Sequence, residues 1–420
     1  MLNHDSLAAV AAARRDDNFA VPLYDGYGFA SLPRLLRAVL TGAADTGVPA
    51  AALGELPRRS DNLVLLLVDG FGWSFFERFA GLPFLARCLA DGVASQLTSQ
   101  FPATTAAHMT TLHTGVPVAR SGVFEWFYHE PLLGQIFAPL LAMTLGAERS
   151  FPVTADRLAP LYPATTLYDE LAAAGVRCRL YQSAHYAHSP YSKIVTRGAE
   201  PCPYRTLPEL MVDLAEAVRT TDAPTYHCVY IDVVDHISHA HGPAAPQLAA
   251  EIRSLFHLLE TFFLPGVAGA RRPPLVLLAA DHGQTAVDPA RALYLDDLVP
   301  ESPRWQRTTR DGRPLLPAGG PRDLFLYVRD EHLDEAEAKL SAALAGRADV
   351  HRTRALLDAG VFGPDPGPRL VDRAGDLVVL PHAHEMVFWR SASRFILDKH
   401  GHHGGLGSEE LETPLLALAP

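Results

Sequence analysis

Three stretches of the chain are apolar at nearly every position instead of alternating: 63–68 reads LVLLLV, 226–234 reads YHCVYIDVV and 275–280 reads LVLLAA. Runs of this length, bounded by residues such as Pro273-Pro274 and Gly283, predict strands buried on both faces, the mark of a parallel sheet covered by helices on each side. Apolar positions at helical spacing over 32–40, 71–89, 165–175, 207–219 and 245–263 predict the covering helices, and 176–181 a further strand. Phe75, Phe76, Phe79 and Phe84 are expected to serve as core. Strand and helix in alternation predict an α/β protein with a doubly wound, mostly parallel sheet and helices on both faces.

The pattern changes over 301–321, where Arg, Pro and Gly dominate and read as a linker. A strand at 323–328, helices at 331–345 and 353–357 and the punctuation GPDPG at 363–367 follow. We expect a small α+β insertion over 301–370, placed as a possible cap, between core segments 1–300 and 371–420. The chain is expected to re-enter the main sheet at 376–380.

Composition narrows the function classes. With 420 residues, 48% hydrophobic and 20% charged, the chain can fill a large core plus an insertion. The net charge of −11, with Lys193, Lys339 and Lys399 as its three lysines, includes no basic run, so a nucleic-acid polymer is excluded as partner. Cys88, Cys178, Cys202 and Cys228 are widely spaced and expected to be free thiols. Neither a leader peptide nor a membrane span is read from the sequence, which sets the expectation of a cytoplasmic protein without membrane contact.

Chemistry concentrates where the apolar runs end. The first stops at Asp69, the second leads to Asp235 and His239, and the third ends in Asp281-His282. A buried carboxylate is costly unless paired or bound to a cation, so three at one sheet edge imply a shared positive partner. Asp235 and His239 share a face if a helical turn follows the strand, and His403 sits in a glycine-flanked loop. Carboxylates mixed with imidazoles suit zinc, manganese or iron, and six such ligands suit two ions. His236, His241, His400, His402 and Asp232 are the competing candidates.

Within 101–115, FPATTAAHMTTLHTG, Pro102 marks an extended entry and Gly115 a helix stop, which puts Thr105 near a helix amino end, where an anion is favoured. Its hydroxyl there is either an N-cap or a reacting group. The aromatics Phe124, Trp126, Phe127 and Tyr128 are either packing or a surface for a base.

In order, VDGFG, FPATTAAHMTTLHTG, VDHISHAHG, AADHG and HHGGLGSEE resemble the motifs of the type I phosphodiesterase/nucleotide pyrophosphatase family of the alkaline phosphatase superfamily. The resemblance covers about 60–300 and 370–420. It implies one metal on Asp69, Asp281 and His282 with Thr105 as nucleophile, and a second on Asp235, His239 and His403, zinc being usual. It implies hydrolysis of a phosphodiester, phosphonate or pyrophosphate bond in a small phosphoester, a nucleotide among the candidates, through a phosphothreonine. Where many members place an Asn that stabilises phosphoryl oxygens, this chain offers His108, assigned to substrate binding. Where many have His-Gly, it has Ser121-Gly122. A phosphomonoesterase or phosphomutase on the same core and a non-catalytic metal-binding protein are the alternatives.

Overall fold

The computed structural model describes residues 1–16, 18–145, 150–309, 312–390 and 398–420; Arg310 and Asp311 of the expected linker lie outside them. Seven strands form the main sheet, in the order Val93–Thr98, Glu412–Leu418, Leu275–Ala279, Asn62–Val68, Thr225–Ile231, Arg177–Ser183, Glu200–Tyr204. All run parallel except Glu412–Leu418, which is antiparallel to both neighbours. Every residue of Asn62–Val68 is buried. Successive side chains of a strand point to opposite faces, and both faces are packed. Val64, Leu66 and Val68 join one apolar cluster with the helices Trp73–Phe79, Pro83–Asp91, Leu207–Thr220 and Pro246–Leu258. Leu63, Leu65 and Leu67 join the other, against Leu32–Thr41, Thr105–Thr114 and Leu167–Ala173.

Strand register decides which acids share a height. Leu67 pairs with both Ala279 and Tyr230, so Asp69 is level with Asp281 on one side and with Asp232 on the other. The strand Thr225–Ile231 ends before Asp232, and Asp235 lies in the first turn of the helix Val233–His241. The turn brings it back to the edge: its backbone N–H donates to the Asp69 carbonyl at 3.1 Å. Gly70, at φ 71°, makes that approach possible, because a Cβ there would stand 3.0 Å from Asp235 Cα.

The expected re-entry at 376–380 is corrected. Leu377–Pro381 pairs antiparallel with Asp323–Leu326 and Ala348–Arg352 in a separate four-stranded sheet that also holds Ala318–Gly320. Its fully buried LVVLP is as apolar as a central strand because the small sheet has its own core around Leu324, Leu340, Val379 and Trp389. The return to the main sheet is made by Glu412–Leu418. A second antiparallel ribbon, Tyr128–Glu130, Gln135–Ala138, Met143–Leu145 and Ser150–Pro152, stands in a region for which the sequence pattern suggests strand–helix units. Cys88, Cys178, Cys202 and Cys228 are all free. Among the described residues no helix is long and apolar enough to cross a membrane.

Candidate metal centre

Two ligand groups meet at the carboxyl edge of the main sheet. In one, ligand atoms of Asp69, Asp281 and His282 lie within 4.8 Å of one another, and all three side chains are buried. In the other, Asp235, His239 and His403 meet the same limit. Within the first, His282 Nε2 stands 3.2 Å from Asp69 Oδ1 and 3.4 Å from Asp281 Oδ2. Within the second, Asp235 is 3.4 Å from His239 Nε2 and 3.6 Å from His403 Nε2. The His282 and His403 rings stack at 3.6 Å, so the groups are immediate neighbours.

All three imidazoles are oriented in the same way. His239 Nδ1–H donates to the Gly401 carbonyl at 2.6 Å, His403 Nδ1–H to Ala103 at 2.8 Å and His282 Nδ1–H to Gly283 at 3.0 Å. That leaves each Nε2 lone pair turned to the acids, the arrangement by which a backbone carbonyl fixes the tautomer of a ligand histidine. Burial lowers all three imidazoles, His239 to about 4, so they are neutral at physiological pH. The carboxylates are held as firmly. Asp69 accepts from the Tyr230 hydroxyl and Asp235 from the Gln284 amide. Asp281 Oδ1 accepts backbone N–H from His282 at 3.0 Å and Gly70 at 3.2 Å.

The first group lacks a positive charge. Burial, with repulsion from Asp281 and Asp235, pushes Asp69 well above the usual carboxylate range. Burial, then Asp235, raises Asp281 to about 7. For Asp235 burial again works upward, but His239, His403 and His282 outweigh it and hold the group low. Among the described residues, Asp69 Oδ1 and Asp281 Oδ2 are buried with no hydrogen-bond partner. An orphaned buried carboxylate oxygen costs several kcal/mol unless a cation or proton meets it. These two point into one space lined by a neutral imidazole, so the residues fit a divalent ion.

Thr105 opens the helix Thr105–Thr114 and is 8% exposed. The N-cap is Thr104, whose hydroxyl donates to the Phe124 carbonyl at 2.8 Å and makes no cap bond. Thr105 is thereby freed from capping; its Oγ1 lies 3.2 Å from His282 Nε2. A cavity of about 350 Å³ opens on this hydroxyl, within the range of small-ligand sites. Asp235, His239 and His403 share its wall with Glu125, Trp126, Phe127, Phe388 and Lys399, and Gly319, Gly320 and Pro321 reach it from the segment expected to be an insertion.

His108 is placed elsewhere, and its assignment to substrate binding is corrected. It is wholly buried, Nδ1–H donates to the Thr104 carbonyl at 2.7 Å, and Nε2 accepts the Gln100 N–H at 2.8 Å. With both nitrogens bound to backbone and its value lowered by burial to about 3, it braces the helix Thr105–Thr114 and lines no part of the cavity. Of the competing candidates, Asp232 accepts from Tyr186 at 3.0 Å and joins neither group. His236 and His402 line the cavity outside both groups. The aromatics divide: Phe124 and Tyr128 stack at 5.1 Å within the core, whereas Trp126 and Phe127 face the cavity. Sequence reading missed Tyr230, Gln284, Glu125 and Lys399; the first two flank ligand motifs, but no periodicity marks any of them.

The profile of the type I phosphodiesterase / nucleotide pyrophosphatase family matches residues 63–406, and the chain belongs to this family. Among solved structures it is similar to murine ectonucleotide pyrophosphatase / phosphodiesterase 5, at 17% identity and a TM-score of 0.62 over 86% of this chain and 88% of that one. Phosphonoacetate hydrolase from Sinorhizobium meliloti 1021, solved with phosphonoacetate, is similar at 17% identity and a TM-score of 0.62, over 85% and 89% of the two chains. An inactive form of the murine protein, in complex with AMP, is similar at 17% identity and a TM-score of 0.62, over 85% and 87% of the two chains. No curated protein sequence matches this chain.

Proposed function

We propose that the protein hydrolyses small phosphodiesters, phosphonates or pyrophosphates at two divalent metal ions, zinc being the best match to the donors, through a phosphothreonine on Thr105. The observation that carries this reading is the Thr105 hydroxyl, unused by its own helix and lodged beside two oriented Asp/His groups. Asp69, Asp281 and His282 would hold one ion and Asp235, His239 and His403 the other. Bound ions of this kind acidify a coordinated hydroxyl and offset developing phosphoryl charge.

The chain's own residues set the rest. The helix amino end directs its unpaired N–H groups and the positive end of its dipole at a phosphoryl group in front of Thr105. In-line attack by the Thr105 oxygen forms the phosphoester and releases the leaving group into the cavity. Its exposed Trp126 edge and Phe127 offer a flat apolar surface to an organic leaving group such as a nucleoside. Water then cleaves the threonine ester and frees the hydroxyl. Turnover of bis-p-nitrophenyl phosphate against p-nitrophenyl phosphate tests the assignment: the diester is expected to be preferred, and a strong monoester preference would replace this reading with that of a phosphomonoesterase or phosphomutase.

A further inference from the structure

Beside the nucleophile the cavity wall carries an acid that neither ligand group uses. Glu125 is 2% exposed and lines the same space as Thr105. Its Oε2 accepts backbone N–H from Trp126 and, at 3.3 Å, from Phe127. Its other side faces Asp323, which is wholly buried on the strand Asp323–Leu326 of the small sheet. Gly320 closes over both carboxyls, where a Cβ would stand 2.9 Å from Asp323 Oδ1 and 3.4 Å from Glu125 Oε1.

Among the described residues neither Glu125 nor Asp323 forms an ion pair. Asp323 Oδ1 accepts the Gly320 N–H at 3.1 Å, whereas its Oδ2 is buried with no partner as a carboxylate. The adjacent Arg322 guanidinium is committed to Glu410, with Nη2–Oε2 at 2.7 Å and Nε–Oε1 at 3.1 Å, and to the His382 carbonyl at 2.7 Å. Glu410 itself adds repulsion. Two anions buried in contact without a counter-ion are strongly disfavoured, and protons resolve the conflict. Burial raises Glu125 to about 8, and burial with repulsion from Glu125 holds Asp323 well above the usual carboxylate range, which favours the neutral acids at neutral pH.

A phosphate-binding space walled by a carboxylate would repel its ligand, whereas a carboxylic acid offers it a charge-assisted hydrogen bond. Given the phosphoester reading above, we propose that Glu125, buried in the cavity wall as a neutral acid, donates to a non-bridging phosphoryl oxygen at Thr105, the contact sought from the sequence at His108. The acid then works only while protonated, and the small sheet contributes to phosphoryl recognition through Asp323.

The test measures binding of inorganic phosphate to the metal-loaded protein across about pH 7 to about pH 9.5, with Glu125→Ala and Glu125→Gln beside the unaltered chain. Glu125→Ala should weaken binding by about 10-fold or more at pH 7, the loss expected for a charge-assisted hydrogen bond. Glu125→Gln, which keeps a neutral donor, should recover most of that loss and abolish the extra alkaline weakening of the unaltered chain. Superimposed pH profiles for the Gln variant and the unaltered chain, or unchanged binding in a folded Ala variant, would overturn the assignment of Glu125. Intact phosphate binding without diester hydrolysis would instead fault the reaction proposed above and leave the Glu125 contact standing.

Discussion

Each donor in the two groups has a neighbour that fixes its orientation, and those neighbours are accessible to mutation. Tyr230 donates to Asp69. Tyr230→Phe removes that bond while keeping the ring, and outer-shell losses of this sort weaken metal binding about 10- to 100-fold. Titrating the apo variant with zinc should show the weakening, with activity restored at excess metal. Thr105→Ala should behave oppositely: both ions stay bound, and diester turnover falls by at least about 10³-fold. Undiminished turnover in that variant would remove the nucleophile.

What the sequence made legible at this scale follows from local chemistry. Asp69 and Asp281 stood out because an apolar run stops on an acid. His108 misled because its type and position suit a phosphoryl contact, and only the path of Gln100 and Thr104 around it shows both nitrogens taken by backbone. The Glu125–Asp323 pair could not be read, since the partners are far apart in sequence and meet only through the fold.

Among the elements, the central strands and their helices followed from periodicity, because a strand buried on both faces has no alternation to hide it. The Asp235 turn is subtler: strand register makes Asp232 the neighbour of Asp69, and the helix Val233–His241 brings Asp235 there instead. Gly70→Ala should therefore damage the site more than the core, since it strains a left-handed residue and pushes on Asp235. Metal content of the second group is expected to drop while secondary structure by circular dichroism persists. Leu65→Ala, in the wholly buried strand Asn62–Val68, should do the reverse. It should cost about 2–5 kcal/mol in chemical denaturation with metal content unchanged. Glu412–Leu418 escaped the sequence reading because Pro414 argues against a central strand. The short antiparallel strands escaped because runs of three to five residues are too brief to show an alternation.

At the scale of the whole molecule, the candidate metal centre joins segments from most of the chain, and cation binding should stabilise the fold. The sign of the pH dependence follows from the first group. Asp69 and Asp281 have folded values raised above the unfolded value of about 3.9, Asp281 to about 7. The folded state therefore binds more protons than the unfolded one between those values, and stability falls as pH rises through that window. Metal-stripped Asp281→Asn, which lacks this proton uptake, should lose less melting temperature between about pH 5 and about pH 7.5 than the unaltered metal-stripped chain, and added zinc should raise the melting temperature of the unaltered chain most at the higher pH. The buried Arg322–Glu410 pair, at 2.7 Å, fastens the small sheet to the loop that carries His403. Damage there should reach the second ion from outside either group.

The central claim is that six side chains form two metal sites beside one hydroxyl. Elemental analysis of purified, dialysed protein tests it most directly, run on the unaltered chain and on Asp281→Asn and Asp235→Asn. The account predicts two divalent ions per chain, reduced to one by either substitution, with diester turnover lost on chelation and regained on zinc addition. Full turnover by protein shown to be free of divalent metal would contradict it.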